Sequence, residues 1–399
     1  MVTSYALKQH ELDVTDKRRS NLFNWRGQFT PQFVEYLLRQ FATPDSYVLD
    51  PFCGSGTLLM ECALKDIRAS ACEINPAAYA MSRFYSFCNV TMEDRREMIS
   101  SFGSKVEQLA DGLTNAPLLE PSQGFRDKYK NLLEFANDLF ASAHDKHDML
   151  LAVLLLFHAE SSRQRGLNQA IQSACTTLRR DLLRLPYTRA RITAHLCDAR
   201  RCHERFQSKV DLIISSPPYI NVFNYHQNHR AILELMGFDI LAIARSEVGS
   251  NRKNRGNRFL TVIQYSLEME QALQSMAKSL VEHGFLILVI GRESRVRGVP
   301  FCNSSIVSEM IQSLGAFEPP AFHERKFTNR FGEEIKEDIL IARKTREGPF
   351  ETHAREIALA HLKEAVSRAE GSARQDLSEA IEMIDAINPS PFFDVKGIF

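Results

Sequence analysis

Four consecutive residues, Ser216-Pro217-Pro218-Tyr219, carry the groups most suited to chemistry in this sequence. They follow the apolar run at 210–214, which predicts a buried strand that ends abruptly at a double proline. The rigid, extended backbone presents a hydroxyl group, a proline carbonyl with no neighbouring N–H donor, and an aromatic ring. Such groups suit the acceptance of hydrogen bonds from an exocyclic amine while the ring stacks on a planar base. A simple extended turn at a strand end is the structural alternative.

A glycine-containing loop follows another short predicted strand, at residues 47–49. The loop is Asp50-Pro51-Phe52-Cys53-Gly54-Ser55-Gly56-Thr57, and its glycines allow a tight turn and close approach of the backbone to a ligand. Glu73 ends the next predicted strand and is placed to bind ribose hydroxyls. Asp198 ends a third predicted strand and is suited to accept from an adenine amino group. Singly these are ordinary loop residues, but the ordered set predicts an adenosine-binding site.

Such an adenosine site accommodates NAD, a nucleotide or S-adenosylmethionine. No lysine of the Walker type follows the loop, which argues against hydrolysis of a nucleoside triphosphate. Asp50, directly before Pro51, favours a ligand with a cationic group, such as the ammonium of a methionine moiety.

The elements that position these residues alternate between short apolar runs and helical patterns, which predicts an α/β sheet. Helices are predicted at about 33–41, 58–65 and 77–87, and further strands at 69–72, 191–197, 211–215, 285–290 and 339–342. From about residue 91 to residue 185 the pattern is nearly all helical, which indicates an insertion between sheet elements. An amphipathic helical stretch over 351–387 forms a tail that packs on the body or meets a partner.

Composition limits the classes of partner. Lys+Arg 49 against Asp+Glu 49 gives zero net charge over 399 residues, so nucleic-acid contacts must come from local basic patches. The first twenty residues lack the apolar core of a signal peptide, and the longest apolar stretch, 149–157, is too short to span a bilayer. We therefore expect a cytoplasmic protein that makes no membrane contact.

The cysteines predict reduced thiols rather than a disulfide framework, because the 8 cysteines include no CxxC pair. His195, Cys197, Cys202 and His203 lie close together in sequence, but they lack the second ligand pair of a zinc site. No metal site is predicted.

The motifs at 50–57 and 216–219 together resemble the motif pair of the S-adenosylmethionine-dependent amino-methyltransferases of DNA, which methylate N4 of cytosine or N6 of adenine. Residues 24–31 are similar to the family segment that lines the methionine end of the cofactor. Residues 294–299, and the stretch from Tyr219 through Asn221, Tyr225 and His229, are similar to bacterial site-specific members. The resemblance covers roughly residues 18–344 except the helical insertion. That insertion departs from the family pattern, and it leaves the target-recognition region unassigned.

The resemblance implies a fold, a cofactor and a set of site residues. The fold is a Rossmann-like class I methyltransferase sheet of α/β type with helices on both faces, plus the helical insertion and tail. The cofactor is S-adenosyl-L-methionine, bound by Thr30, Asp50, Pro51, Phe52, Gly54, Ser55, Gly56, Glu73 and Asp198. The catalytic residues are Ser216, Pro217, Pro218 and Tyr219, which hold and stack a base that has been flipped out of the duplex. A serine at the first of these positions favours cytosine N4 over adenine N6.

Basic segments near the predicted catalytic loop are candidates for DNA contact. The stretch 245–258 is rich in glycine and asparagine, and its candidate phosphate contacts are Arg252, Lys253, Arg255 and Arg258. Arg295 and Arg297 follow the strand at 285–290 and form a second group. Five arginines of the insertion fit either DNA contact or a solvated helix face: Arg163, Arg165, Arg179, Arg180 and Arg184.

Four parts are predicted along the chain: a cofactor-binding half at 18–90, the insertion at 91–188 as a candidate for target recognition, a catalytic half at 189–345, and the tail at 346–399. The competing interpretations are a methyltransferase of RNA or protein, a catalytically silent DNA-binding subunit and, more remotely, a NAD-dependent oxidoreductase. DNA is the expected substrate, and a restriction endonuclease or a subunit of a defence system is a candidate partner.

Overall fold

The structure, a computed structural model, describes residues 5–113, 116–120, 124–220, 227–250, 254, 256–328 and 332–393. The strands within these residues are β1 (Tyr47–Asp50), β2 (Arg68–Glu73), β3 (Ile192–Leu196), β4 (Val210–Ser215), β5 (Leu280–Gly291), β6 (Glu293–Val296), β7 (Val299–Cys302), β8 (Ala321–Thr328) and β9 (Glu334–Arg343). The amino-terminal helices are α1 (Gln9–Asp13), α2 (Pro31–Phe41), α3 (Thr57–Leu64) and α4 (Pro76–Arg83).

The remaining helices fall into three groups. The insertion contains α5 (Met92–Ala110), α6 (Phe125–Lys128), α7 (Lys130–Ala141), α8 (Lys146–Glu160) and α9 (Leu167–Arg184). The second half of the sheet is accompanied by α10 (Arg230–Leu235), α11 (Ile240–Ser246), α12 (Leu260–Ser279) and α13 (Asn303–Ser313). The tail contains α14 (Ala354–Ala365) and α15 (Gly371–Glu382).

Seven strands form one sheet in the order β3-β2-β1-β4-β5-β9-β8. Strands β3, β2, β1, β4 and β5 run parallel, whereas β9 is antiparallel to both β5 and β8. The strand order reverses between β1 and β4, which pair at Val48 with Leu212 and at Leu49 with Ile213. In an open α/β sheet the carboxyl edge at such a reversal is where a ligand crevice forms.

Both faces of the sheet are covered, because successive strand residues belong to different cores. Val48 and Ile214 pack into one core with helices of the amino-terminal part and the insertion, while Leu49 and Ile213 pack into the other with α12, α13 and the tail helices. Parallel strands buried on both faces require continuous apolar runs, and those runs made the strands predictable. This topology confirms the predicted Rossmann-like class I sheet with helices on both faces.

The helical insertion forms part of the first core rather than a separate layer. Helix α8 has an almost continuous buried stretch from Leu150 to Phe157, and it packs against α7, α9 and α4. A helix that is apolar all round must be buried on all sides, and α8 is enclosed in this way. None of the described helices combines the length and the apolarity that a membrane crossing requires.

The tail packs on the body through the second core. Ile357 and Leu362 of α14 are buried there, and α14 contacts both α12 and α13. The sequence pattern predicted one helical stretch over 351–387, whereas the structure divides it into two helices separated near Gly371, which has φ +53°. Glycine adopts this left-handed conformation without strain, so the chain turns there.

Candidate active site

A cavity of about 340 Å³ opens at the carboxyl edge of the sheet, where β1 and β4 lie side by side. Its walls come from residues 25–29, 50–54, 57, 73–75, 198–199, 216–220, 246–248, 250 and 293–294. Both predicted motifs therefore face one space. The predicted site residues that line it are Asp50, Pro51, Phe52, Gly54, Glu73, Asp198, Ser216, Pro217, Pro218 and Tyr219.

Asp50 lies at the end of β1 and is 2% exposed. Its Oδ1 accepts hydrogen bonds from Ser215 Oγ at 2.6 Å and from the backbone N–H of Phe52 at 3.1 Å. Burial raises the pKa of this carboxyl group to about 7. Since both of these donors are neutral, a cationic ligand group in the cavity would compensate the buried negative charge.

Glu73 ties the glycine loop to the end of β2. Its Oε2 accepts from the backbone N–H of Gly54 at 2.8 Å, and its Oε1 accepts from the backbone N–H of Asn75 at 2.8 Å. Burial raises the pKa of this carboxyl group to about 7 as well. These two bonds fix the orientation of the carboxylate, and its remaining lone pairs are suited to ligand hydroxyl groups.

The glycines of the loop are required by backbone conformation and by space. Gly54 has φ +52°, and a Cβ atom there would lie 3.1 Å from Trp25 Cδ1. Gly56 has φ +90°, and a Cβ atom there would lie 2.9 Å from the Tyr85 ring. The loop can therefore approach Trp25 and the helix behind it closely only because neither residue carries a side chain.

Three predicted cofactor residues, Thr30, Ser55 and Gly56, lie outside the cavity lining. Thr30 precedes α2, and its Oγ1 accepts from Arg325 Nη2 at 3.2 Å. Ser55 is buried, and its Oγ donates to Oε1 of the lining residue Gln28 at 2.6 Å. Ser55 therefore supports the cavity wall indirectly, through Gln28.

Asp198 lines the cavity, but its carboxylate is already bound by Arg200. The Arg200 Nε donates to both carboxylate oxygens, at 3.0 and 3.1 Å, and Nη2 donates to Oδ2 at 2.5 Å. Both side chains are almost fully buried. The contact to adenine that the sequence predicts for Asp198 would therefore share this carboxylate with a permanent internal partner.

The predicted catalytic serine has a fixed orientation. Ser216 Oγ donates to the carbonyl oxygen of Val289 in β5 at 2.9 Å. Because the hydroxyl proton is used in this bond, the lone pairs of Oγ remain to accept from a ligand N–H. Ser216 is thus arranged as an acceptor, which is the role that an incoming amine requires.

The Tyr219 ring lies against the backbone at the end of β5. A Cβ atom at Gly291 would lie 2.5 Å from Tyr219 Cε2, so the ring occupies the space that a side chain there would need. The Tyr219 hydroxyl group is hydrogen-bonded to Glu337 of β9, and Arg325 Nη1 donates to the same carboxylate at 2.8 Å. Burial raises the pKa of Glu337 above its usual range. This network holds the aromatic ring at the cavity.

Sequence patterns missed several residues that hold the site together. Asn303, at the start of α13, donates from Nδ2 to the Gly291 carbonyl oxygen at 2.8 Å and to Ser294 Oγ at 3.0 Å, and its Oδ1 accepts from Ile220 N–H at 3.4 Å. It therefore joins the loop after β4 to the end of β5. Asn75 was recognisable as a helix cap followed by Pro76, and its Nδ2 donates across the cavity to Glu247 Oε1 at 3.3 Å.

The predicted DNA-contacting residues have different surroundings. Arg252, Lys253 and Arg255 lie outside the described residues, as do Asn221 and Tyr225. Arg258 is half-buried just before α12. Arg295 is exposed on β6 and lies 3.2 Å from the Glu293 carboxylate.

Arg297 pairs with Asp376 of α15, and its Nη2 donates to Ser372 Oγ at 3.1 Å. A carboxylate partner competes with phosphate for the same guanidinium, so the structure gives Arg297 a role in tail docking.

The cysteine–histidine cluster at 195–203 is occupied by internal contacts. His203 Nδ1 and Cys202 Sγ both lie within hydrogen-bonding distance of Ser275 Oγ, at 2.9 and 3.2 Å. All eight cysteines carry free thiols. Among the described residues, no group of three or more His, Cys, Asp or Glu side chains is arranged to hold a metal ion.

The amino-terminal part of the chain is similar to known proteins. Residues 8–83 match the sequence model of a family described as DNA methylase. This segment contains the 24–31 and 50–57 motifs and Glu73, and it confirms the resemblance predicted from them. The chain is also 22% identical over 139 residues to the Type II methyltransferase M.MjaII of Methanocaldococcus jannaschii, a match that covers 34% of this chain. The chain spans only 26% of the length of that curated relative.

The chain also has weak similarity to solved structures, two of which follow. A SAM-dependent methyltransferase of Methanosarcina mazei has 12% identity and a TM-score of 0.33, covering 78% of this chain and 98% of that one. The rRNA methyltransferase AviRa of Streptomyces viridochromogenes has 12% identity and a TM-score of 0.33, covering 86% of this chain and 96% of that one.

The residues present fit S-adenosyl-L-methionine. Asp50 offers a buried negative charge for the ammonium group, Glu73 offers carboxylate oxygens for the ribose, and the glycine loop leaves room between them. The family match includes all three features. Together these observations confirm S-adenosyl-L-methionine as the predicted cofactor.

Proposed function

We propose that the protein transfers a methyl group to the exocyclic amine of a base in DNA, with N4 of cytosine as the target. The observation that carries the proposal is the shared cavity. The amine-accepting tetrapeptide at 216–219 faces the same space as Asp50 and Glu73, which fit the cofactor. The DNA methylase family match over residues 8–83 supports DNA as the substrate.

S-adenosyl-L-methionine, when bound, supplies a methyl group on a sulfonium that is already activated for transfer. The protein therefore needs no covalent nucleophile, and its main contribution is positioning. Asp50 binds the cationic end of the cofactor and Glu73 orients the ribose hydroxyls. Ser216 Oγ, with its proton held by the Val289 carbonyl, accepts from the substrate amine. The Pro217 carbonyl accepts the second N–H, and Tyr219 stacks on the base. As the amine nitrogen bonds to the methyl carbon, the carbon–sulfur bond would break, S-adenosyl-L-homocysteine would leave, and the amine would lose one proton to water.

The target base is proposed to flip out of the duplex before transfer. The walls around the tetrapeptide include residues 246–248, 250 and 293–294, and this recessed position supports a flipped base over a base stacked inside the duplex. Extrusion of the nucleotide costs a few kcal/mol, which contacts in the pocket offset. The stretch at 252–258 and Arg295 lie near the cavity in sequence, and we propose them as phosphate contacts.

Adenine N6 is the closest alternative, because its amine offers the same two N–H donors to Ser216 and Pro217. The choice of cytosine rests on serine in the first position of the tetrapeptide. We place the protein in the cytoplasm beside DNA, and a restriction endonuclease or a subunit of a defence system is the proposed partner.

A methyl-transfer assay tests the proposal directly. Purified protein is incubated with radiolabelled S-adenosyl-L-methionine and with DNA, tRNA or a protein mixture, and Ser216→Ala serves as the inactive control. We expect label in DNA only, and digestion to nucleosides then identifies the methylated base. Label in tRNA or protein would replace the proposal with the corresponding competing activity. A protein that binds the cofactor and DNA but labels none of the three acceptors would be a catalytically silent subunit.

A further inference from the structure

Residues 390–392 follow the two tail helices and contact Arg200, which is adjacent in sequence to the cavity-lining residue Ala199. Arg200 donates from Nη1 to the Ser390 carbonyl oxygen at 2.7 Å and from Nη2 to the Pro391 carbonyl oxygen at 3.0 Å. The Phe392 ring covers the same guanidinium, with its centroid 4.7 Å from Cζ. The segment thus completes the surroundings of a fully buried arginine.

Arg200 connects residues 390–392 to one wall of the cavity. Its guanidinium binds the Asp198 carboxylate, and both Asp198 and Ala199 line the cavity. A buried guanidinium is stable only when its donors find acceptors, since unpaired charge in the interior is costly. Loss of the Ser390 and Pro391 carbonyls would therefore shift Arg200 and, with it, Asp198.

Ser390 also reaches the opposite part of the lining through Glu268. The Ser390 N–H donates to Glu268 Oε1 at 2.8 Å, and Glu268 Oε2 accepts from the Gly249 N–H at 3.0 Å. Val248 and Ser250, which flank Gly249, line the cavity. Ser390 and Glu268 are both almost inaccessible to solvent, so this connection is a built internal contact.

We propose that residues 390–392 are a positioning element of the cofactor site. One short segment fixes two walls of the cavity, at 198–199 and at 248–250, through Arg200 and Glu268. The contacts of the segment described above are with Arg200 and Glu268, and none of them involves the tetrapeptide at 216–219. Its loss should therefore weaken binding of the methyl donor and leave the transfer step nearly unchanged. This inference rests on the proposed function, because the ligand concerned is S-adenosyl-L-methionine.

Ser390→Asp in the full chain tests the proposal, because it places a second carboxylate beside Glu268 and should displace the segment. Ser378→Asp is the matched control, since it adds the same charge at an exposed position of α15. The dissociation constant of S-adenosylhomocysteine is measured by calorimetry, and the turnover number at saturating donor is measured with DNA. Hydrogen exchange of residues 389–393 reports whether the segment has been released.

For Ser390→Asp we expect faster exchange of the segment, a Kd raised about tenfold, and a turnover number within about twofold of the wild type. Ser378→Asp should match the wild type in all three. A released segment with unchanged Kd would overturn the inference, as would a fall in turnover with unchanged Kd. If the unaltered protein binds neither S-adenosyl-L-methionine nor S-adenosylhomocysteine, the proposed function itself fails.

A second pair of variants covers the case in which Ser390→Asp does not fold. Phe392→Ala uncovers the Arg200 guanidinium, whereas Phe393→Ala removes a ring that packs against the first core. Only Phe392→Ala should weaken S-adenosylhomocysteine binding, by about threefold to tenfold. Equal Kd values for these two variants would contradict the role of the segment.

Discussion

Two adjacent serines at the end of β4 have separate roles at the residue scale. Ser215 Oγ donates to Asp50 and so belongs to the cofactor side of the cavity, whereas Ser216 Oγ donates to Val289 and faces the substrate side. Successive strand residues point to opposite faces, which explains how neighbours in sequence serve different ligands. Matched substitutions of these two serines can therefore separate cofactor binding from methyl transfer.

We expect Ser216→Ala to lower turnover by about 100-fold, because an oriented acceptor for the amine is lost. Cofactor affinity should stay within about twofold of the wild type. Ser215→Ala should show the reverse pattern, with a Kd for the cofactor raised about tenfold through loss of a bond to a charged group. Calorimetry and single-turnover kinetics measure the two effects. A parallel loss of cofactor affinity in Ser216→Ala would reject the assignment of this serine to the substrate.

Cofactor binding should depend on pH through Asp50 and Glu73, whose pKa values burial raises to about 7. As pH falls through this value the carboxyl groups take up protons, and Asp50 loses its charge attraction for the cofactor ammonium. Affinity should therefore weaken between about pH 8 and about pH 6, with net proton release on binding near neutral pH. Calorimetry in buffers of different ionisation enthalpy detects that release. A Kd that is constant across this range would contradict the assignment.

The raised pKa of Asp50 also affects the stability of the ligand-free protein. A carboxyl group whose pKa is raised in the folded state stabilises the protein fully only below its unfolded pKa, and this contribution is lost as pH rises through the folded pKa. For Asp50 the window runs from 3.8 to about 7. Asp50→Asn should therefore raise the melting temperature of the ligand-free protein at about pH 8 while weakening cofactor binding. A lower melting temperature of Asp50→Asn at about pH 8 would contradict this prediction, because it would show that the protein already compensates the negative charge of Asp50.

The sequence placed three candidate site residues at the ends of predicted strands, and the structure brings them to one cavity. Asp50, Glu73 and Ser216 end predicted strands, and parallel strands must meet at one edge, so their convergence followed from topology. Arg200, Glu268 and Asn303 gave no such signal. Arg200 and Glu268 both contact Ser390, which lies more than a hundred residues away in the chain, and the bonds of Asn303 to Gly291 and Ser294 follow no sequence motif.

At the element scale, β5 provides both the acceptor for Ser216 and the surface for Tyr219. Gly291→Ala would place a methyl group where the tyrosine ring lies, at 2.5 Å from Cε2. We expect turnover to fall by about tenfold to 100-fold, with cofactor affinity unchanged, because only the base-stacking side is displaced. Gly103→Ala on α5 is the control, since a Cβ there meets nothing within 4 Å. Unaltered turnover in Gly291→Ala would argue against a stacking role for Tyr219.

The sequence predicted the parallel strands well and the antiparallel end of the sheet less well. Strands buried on both faces carry continuous apolar runs, as β4 does from Leu212 to Ile214. Strand β8 is the edge strand at the antiparallel end of the sheet, with a sequence of mixed polar and apolar residues, and α1 packs beside it. The β6–β7 hairpin has strands of four residues each, too short for a periodic pattern.

At the scale of the whole molecule, zero net charge means that DNA must be held by local patches. Neutralising Arg252, Lys253, Arg255 and Arg258 together should weaken binding and flatten its salt dependence, by about one unit of slope for each phosphate that is no longer bound. Fluorescence anisotropy over a series of salt concentrations measures the slope. The control variant neutralises four exposed basic side chains elsewhere in the protein: Lys17, Lys363, Arg368 and Arg374. An unchanged slope in the first variant would reject this stretch as a phosphate-binding segment.

The central claim is methyl transfer to a base in DNA, and sequencing of methylated DNA tests it most directly. DNA from cells that express the protein is compared with DNA from cells that express Ser216→Ala. We predict N4-methylcytosine at one recurring sequence with the unaltered protein and none with the variant. N6-methyladenine at such a site would keep the mechanism and change the base. Unmodified DNA from cells that contain folded, cofactor-binding protein would contradict the claim.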